Sequence, residues 1–161
     1  MSRNSFSLAL RVKKVFLKVW RELPIPLQLL IVRLLRPRYR VAVAAIITDD
    51  EARILLCEHT YRKFHPWGLP GGGLEFGESP ECGIQREVWE ETGFNVNVEK
   101  LLFAESSQDF HHVCLIYSCK IVGGSFMPNL ETSQVRFFSK DSLPSLLSNE
   151  RKLIERLVFA S

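Results

Sequence analysis

The sequence predicts an α/β fold: a layered domain with a mixed β-sheet, preceded by an amphipathic helical arm. Three observations predict it. The chain has 161 residues, 46% of them apolar and 24% charged, enough for one domain with a real core. Strand-like segments flank a well-delimited helical segment on both sides, which calls for helices layered on a sheet. Charge is also divided: through Arg40 the chain carries ten Lys/Arg and one Asp/Glu, a net of +9, whereas the remainder has a net of −6. The basic balance therefore belongs to residues 1–38, taken as the arm, and not to residues 39–161, taken as the domain. A uniformly basic nucleic-acid binder is excluded, and specific DNA or RNA binding is not expected.

In the arm, Phe6 to Trp20 has a helical period. Arg11, Lys14, Lys18 and Arg21 share one face; Leu8, Val12, Val15, Phe16, Val19 and Trp20 share the other, with Lys13 at its edge. Pro24 and Pro26 interrupt the run, and Leu27 to Leu35 form a second apolar stretch. Neither reaches the ~20 apolar residues needed to span a bilayer. No signal-peptide cleavage pattern is present. The wide apolar sides require a cover. One reading packs two short helices on the domain or on a second subunit of a homodimer. The other lays them in an anionic membrane interface. The location that follows is cytoplasmic, with peripheral membrane contact as the alternative.

The domain opens with Tyr39 to Thr48, apolar and β-prone, a buried central strand. Asp49 to Glu51 turn the chain, and Arg53 to His59 read as the hairpin partner. Tyr61 to Gly77 is a Gly- and Pro-rich loop. Ser79 to Thr92 reads as a helix, with Ser79 as cap, Pro80 in the first turn and Gly93 as the stop. Asn95 to Ser106, Val113 to Ile121 and Gln134 to Phe138 read as strands, and Asn149 to Phe159 as a closing helix. Cys57, Cys82, Cys114 and Cys119 form no C-x-x-C pair, which argues against a disulfide framework or zinc site.

The chemistry concentrates in Gly71 to Phe94. Glu87 and Glu91 lie four apart, about 6 Å along one helix face, and Glu90 flanks them. Like charges at this spacing cost a helix a few tenths of a kcal/mol, here beside Ile84, Val88 and Trp89, which are expected to pack. A hard divalent cation would turn that repulsion into coordination, and oxygen ligands select Mg²⁺, Mn²⁺ or Ca²⁺ over zinc. Gly71 to Gly73 let the backbone approach closely and offer a carbonyl. Glu78 stands at the helix entrance, and Arg86 lies four residues before Glu90, placed to fix its rotamer. Separately, a Glu pair is a solvated face and a Gly run a turn; jointly, at fixed spacing, they form a site.

Gly72, then Glu78, Arg86-Glu87-Val88, Glu90-Glu91 and Gly93-Phe94 resemble the complete box of the Nudix hydrolase superfamily. Trp67 to Pro70 ahead of it and the Phe137 to Pro144 segment resemble the same family, over roughly residues 40–160. The resemblance implies an α/β/α sandwich and Mg²⁺-dependent hydrolysis of a nucleoside diphosphate linked to another moiety, with Mn²⁺ able to substitute. It implies Glu87, Glu91 and the Gly71 carbonyl as metal ligands, and Glu90 as a ligand or close neighbour. Glu78 would orient the site and Arg86 would buttress it. Glu131 is the late-loop acid for a further ligand or base, with Asp109 as rival. Water would attack one phosphorus while a glutamate takes its proton, with no covalent enzyme intermediate.

Substrate choice is less constrained. Tyr61, Phe64, Trp67 and Phe110 are candidates for stacking on a base, or for sealing the core. Arg62 and Lys63 could meet phosphates or face solvent. His111 and His112 point to opposite sides if extended. Segments typical of NADH-type, ADP-ribose and dinucleoside-polyphosphate members are absent. A small, perhaps oxidised, nucleoside triphosphate is slightly preferred; a nucleotide sugar or ADP-ribose-like substrate near the membrane is the alternative. A non-catalytic nucleotide-binding module is the third reading, though such domains usually lose box glutamates and this chain keeps them.

Overall fold

The computed structural model describes residues 3–35, 39–107 and 111–159. The chain falls into two compact units, Met1–Arg38 and Tyr39–Ser161.

The first unit holds α1 (Arg3–Glu22) and α2 (Ile25–Leu35). Pro24 cannot continue α1, and Pro26 is tolerated because it lies in the first turn of α2. The Gln28 amide donates to the carbonyls of Trp20 (3.0 Å) and Leu23 (2.8 Å), which fixes the corner and satisfies acceptors that the end of α1 leaves open. No helix among the described residues is long and apolar enough to cross a membrane.

The second unit begins with β1 (Arg40–Ile47), β2 (Ile54–His59), β3 (Trp67–Gly68) and β4 (Gly71–Gly73). It continues with α3 (Pro80–Thr92), β5 (Phe94–Ser107), β6 (His112–Gly124), β7 (Thr132–Phe138) and α4 (Ser148–Val158). One sheet has the order β4-β1-β6-β5, the other β3-β2-β7. The β1–β6 pair is parallel and its neighbours antiparallel, so this sheet is mixed.

Two local expectations are corrected. β1 and β2 are not hairpin partners; a single bridge, Thr48 to Ile54, joins them. Both edges of β1 are already taken, by β4 and β6, and β2 pairs with β3 and β7 instead. Asp49 makes the break by accepting from the Glu51 and Arg53 amides and the Arg53 guanidinium. Second, the Gly- and Pro-rich segment after Tyr61 contains two short strands. Neither has the side-chain alternation by which a strand is read.

The layers follow from period-2 alternation. Val43, Ala45 and Ile47 of β1 and Leu55 of β2 pack with Ile84 and Val88 of α3. Ile46, Ile54 and Leu56 point the other way and pack with Ile154 of α4. The result is α3 on one side, sheet in the middle, and α4 on the other. α3 is held at both ends. Ser79 accepts from the Cys82 amide at 3.2 Å, and Gly93 takes the left-handed conformation (φ 78°) that ends the helix.

Ile154 is the buried residue of α4. Ile154→Ala should lower unfolding stability by about 2–5 kcal/mol, the range for truncating a buried Ile, as read by urea titration. A change within ordinary surface effects would mean that α4 is not part of the cooperative core.

Candidate active site

Gly71 to Gly73 run antiparallel to Ala42 to Ala44 of β1, at the edge of the sheet and next to α3. A side chain at Gly71 (φ 150°) would overlap the Val43 carbonyl, and one at Gly72 would overlap the Glu87 carboxylate. At Gly71, where the overlap is with backbone and φ is positive, only glycine permits this approach. It brings the Gly71 amide to Glu91, donating to Oε2 at 2.8 Å. Glu91 is the buried carboxylate of α3, with 2% of its surface exposed. Asn129, in the loop before β7, donates to the Glu90 and Glu91 carbonyls at 2.8 and 3.1 Å and so covers the last turn of α3.

Arg86 joins the other carboxylates. Nε and Nη2 donate to the two oxygens of Glu78, both at 2.9 Å, in a forked pair. Nη1 donates to Glu87 Oε1 at 2.8 Å and Glu90 Oε2 at 3.0 Å, and Nη2 also reaches the Gly73 carbonyl at 3.0 Å. These five contacts match the five N–H groups of a guanidinium. Glu78 Oε2 also accepts from the Glu75 amide. Glu90 is the most exposed of the three acids on Arg86. Trp89 corrects an expectation: it is 58% exposed and does not pack. Ile84 and Val88 occupy the buried stripe, and position 89 falls one residue past it.

Desolvation raises the Glu91 carboxyl to about 7; the Gly71 amide opposes this, and Glu87 and Glu131 add to it. Desolvation also raises Glu87, with Arg86 opposing and Glu90 and Glu131 adding. Glu131, in the loop before β7, adds its negative charge to the field on both carboxylates. Arg86 holds Glu78 below the usual carboxylate range, chiefly by direct hydrogen bonding. Glu87 and Glu91 are poorly solvated carboxylates close to the glycine strand, and Glu90, more exposed, lies beside them. That chemistry fits a hard divalent ion. Among the described residues no three acidic, imidazole or thiol groups enclose a point as they stand; Arg86 and the Gly71 amide hold the carboxylates instead.

Two groups escaped the sequence reading. His59, on β2, is buried, with Nδ1 3.5 Å from Glu91 Oε1 and 3.4 Å from the Tyr61 hydroxyl. Its Nε2 is buried without a hydrogen-bond partner in the chain. Burial lowers its pKa to about 4, so the imidazole is neutral near pH 7. The signal was that Ile54 to Cys57 lack alternation, which marks a strand buried on both faces. Glu150, on α4, accepts from the Leu69 amide at 2.7 Å and pairs with Arg62 at 3.5 Å. In sequence it reads as an ordinary acid in a first helical turn.

Beside Gly71 and Gly72 opens a cleft of about 550 Å³. Ala42, Ala44, Ile116 and Leu153 give it an apolar lining; Arg62, Glu105, Ser106, His112, Asn149 and Glu150 supply its polar groups. Of the predicted substrate residues, Arg62 lines it. Tyr61 is exposed beside His59. Trp67 packs edge-on against Phe138, 5.0 Å between ring centres, within the α4-side core. Phe64 is exposed. Phe110 and Asp109 lie outside the described residues. His111 sits in the turn before β6 with φ 47°, beside Tyr39.

The family model described as NUDIX domain matches residues 38–157. A MutT-like protein of Streptomyces ambofaciens is 35% identical over 107 residues, 66% of this chain and 68% of that protein. An ADP-ribose pyrophosphatase of Methanocaldococcus jannaschii is 33% identical over 120 residues, 71% of this chain and 70% of that protein. Among solved structures, a UDP-X diphosphatase superposes with a TM-score of 0.68 at 26% identity, covering 98% of this chain and 83% of that one. The chain belongs to the NUDIX family and is a hydrolase of nucleoside diphosphate derivatives.

A carboxyl raised on folding favours the folded state when protonated, and that contribution is lost as pH rises through its folded pKa. For Glu91 the loss falls between about 4.5 and about 7. His59 acts oppositely: its stabilisation is present above about 6.5 and lost as pH falls toward about 4. The two offset one another in mildly acidic solution, so the Glu91 contribution is read by difference. With a chelator present, the melting temperature of the wild type relative to Glu91→Gln should fall as pH rises from about 4.5 to about 7. An identical pH profile in the variant would place the titration elsewhere.

Proposed function

We propose that this NUDIX hydrolase uses Mg²⁺, with Mn²⁺ able to substitute, to cleave the diphosphate bridge of a nucleoside diphosphate linked to a hydroxyl-bearing group such as a sugar. The observation that carries the reading is the gathering of Glu87 and Glu91 against Gly71 and Gly72, with Arg86 fixing the surrounding acids. Glu87, Glu91 and the Gly71 carbonyl would hold the ion, with Glu90 beside them. When bound, the ion supplies Lewis-acid neutralisation of the diphosphate oxygens.

The chain's own groups do the rest. Arg86 gathers Glu87 and Glu90 beside the glycine strand. Glu78 holds Arg86 in place through the forked pair. A water attacks one phosphorus, the bridging P–O bond breaks, and the water's proton passes to a carboxylate. We assign Glu131 as the acceptor: its charge acts on Glu87 and Glu91, and it forms no ion pair among the described residues. The two product phosphates leave separately, and no bond to the enzyme forms.

The cleft supports the choice of substrate. Its described cation, Arg62, is already paired with Glu150. Glu105, Ser106 and Asn149 offer acceptors and amide groups suited to hydroxyls and base edges. A further phosphate would find little to meet there. The relatives named above for ADP-ribose and UDP-X substrates are of this class. A small nucleoside triphosphate is the second reading, since the diphosphate chemistry is the same.

Hydrolysis should be measured with Mg²⁺ over ADP-ribose, UDP-sugars, ATP and 8-oxo-dGTP. A diphosphate-linked sugar should turn over with the highest kcat/KM. Glu91→Gln should lower kcat by about a hundredfold or more. A triphosphate as best substrate would overturn the substrate reading. Unchanged activity in Glu91→Gln would overturn the site, and absence of turnover on every compound would favour a binding module.

A further inference from the structure

The helical arm has no role in the hydrolytic reading, yet its surface is unusual. Lys14, Lys18 and Arg21 follow one another at three- and four-residue spacing along α1, so they form one ridge. Across the remaining surface lie Val15, Phe16, Leu17 and Val19, all more than half exposed. Phe16 and Trp20 stack with ring centres 5.8 Å apart. α2 adds exposed Ile25, Leu29, Leu34 and Leu35. An apolar surface of this extent needs a cover, and Gln28 holds the corner between the helices rigidly enough to present both faces together.

We propose that the arm binds flat on an anionic phospholipid bilayer, with its aromatic and aliphatic residues in the headgroup–acyl boundary and its basic ridge on the lipid phosphates. Charge decides between a second arm and a bilayer as the cover. A second copy would bring the same cations, and α1 and α2 together contain one acid, Glu22, which already meets Arg21 at 3.3 Å. Packing two arms face to face would therefore concentrate Lys13, Lys14, Lys18, Arg21 and Arg33 without counter-charge. An anionic leaflet supplies that charge. Lys13, which breaks the apolar arc, has a stem long enough to lie along the apolar surface while its ammonium reaches the headgroups. With 11 residues α2 is too short to span, so the helices lie in the interface. Aromatic side chains are suited to that depth.

The full chain should be floated with phosphatidylcholine vesicles, with and without phosphatidylserine. Binding should require phosphatidylserine and weaken at raised salt. Lys14→Gln with Lys18→Gln should reduce partitioning roughly thirtyfold, and Phe16→Asp should abolish it. The lysine variant should hydrolyse soluble nucleotide at the unaltered rate, which shows that the domain is folded. Equal binding to both vesicle types, or binding to neither, would overturn the proposal. A dimer in light scattering that Phe16→Asp dissociates, together with no vesicle binding, would assign the arm to a second copy instead.

Discussion

Everything in the candidate site depends on one guanidinium. Five acids lie within fourteen residues, from Glu78 to Glu91, and the mutual repulsion of Glu78, Glu87, Glu90 and Glu91 would spread them into solvent. Arg86 prevents this by taking Glu78 in a fork, Glu87 and Glu90 through Nη1, and the Gly73 carbonyl through Nη2. A lysine has three donors on a flexible stem and no planar fork, so it cannot hold this many partners in fixed directions. The side chain is largely shielded from solvent, which raises the value of each charge-assisted bond relative to an exposed pair. Arg86 thus connects the start of α3, its inner face and the glycine strand in one network.

The Gly71 amide performs a complementary task. It is a neutral donor aimed at a buried carboxylate, and it compensates only part of the cost of burial, which is why Glu91 remains high. A cationic donor in its place would have stabilised the anion fully and competed with a metal. His59 obeys the same logic. Buried and neutral, it borders Glu91 without supplying a second positive charge. The site therefore keeps two kinds of acid: those that share the Arg86 guanidinium, of which Glu87 is only partly compensated, and Glu91, which has no cationic partner at hydrogen-bond distance. A divalent ion has most to gain beside the second kind.

How much of this was legible in the sequence follows from what each signal depends on. The ends of α3 were readable because Ser79, Pro80 and Gly93 act locally. The clustering of Glu87, Glu90 and Glu91 was readable because helical spacing alone dictates it. Trp89 was misjudged because apolar character was read without its phase, and that phase points it to solvent. The β1–β2 relation was misjudged because strand pairing is decided by competing partners far along the chain, here β6, about seventy residues away. His59 and Glu150 were missed for the same reason. Each is ordinary in its own segment and acquires meaning from a residue on another element: Glu91 for the first, Leu69 and Arg62 for the second.

The division of labour between the acidic centre and the cleft follows from charge conservation within the domain. Residues 39–161 carry net negative charge, so a diphosphate approaches against the overall field. Arg86 is saturated by carboxylates, and Arg62 is engaged by Glu150. Neither is a free counter-ion. On the proposed reading, compensation for the diphosphate would come from a divalent ion held beside the oxygen-rich side of α3. On the same reading the cleft would distinguish the linked groups by shape, apolar contact and hydrogen bonds, so that a change at Glu105 or Asn149 would alter which compound is chosen, and a change at Glu87 or Glu91 whether any bond is broken.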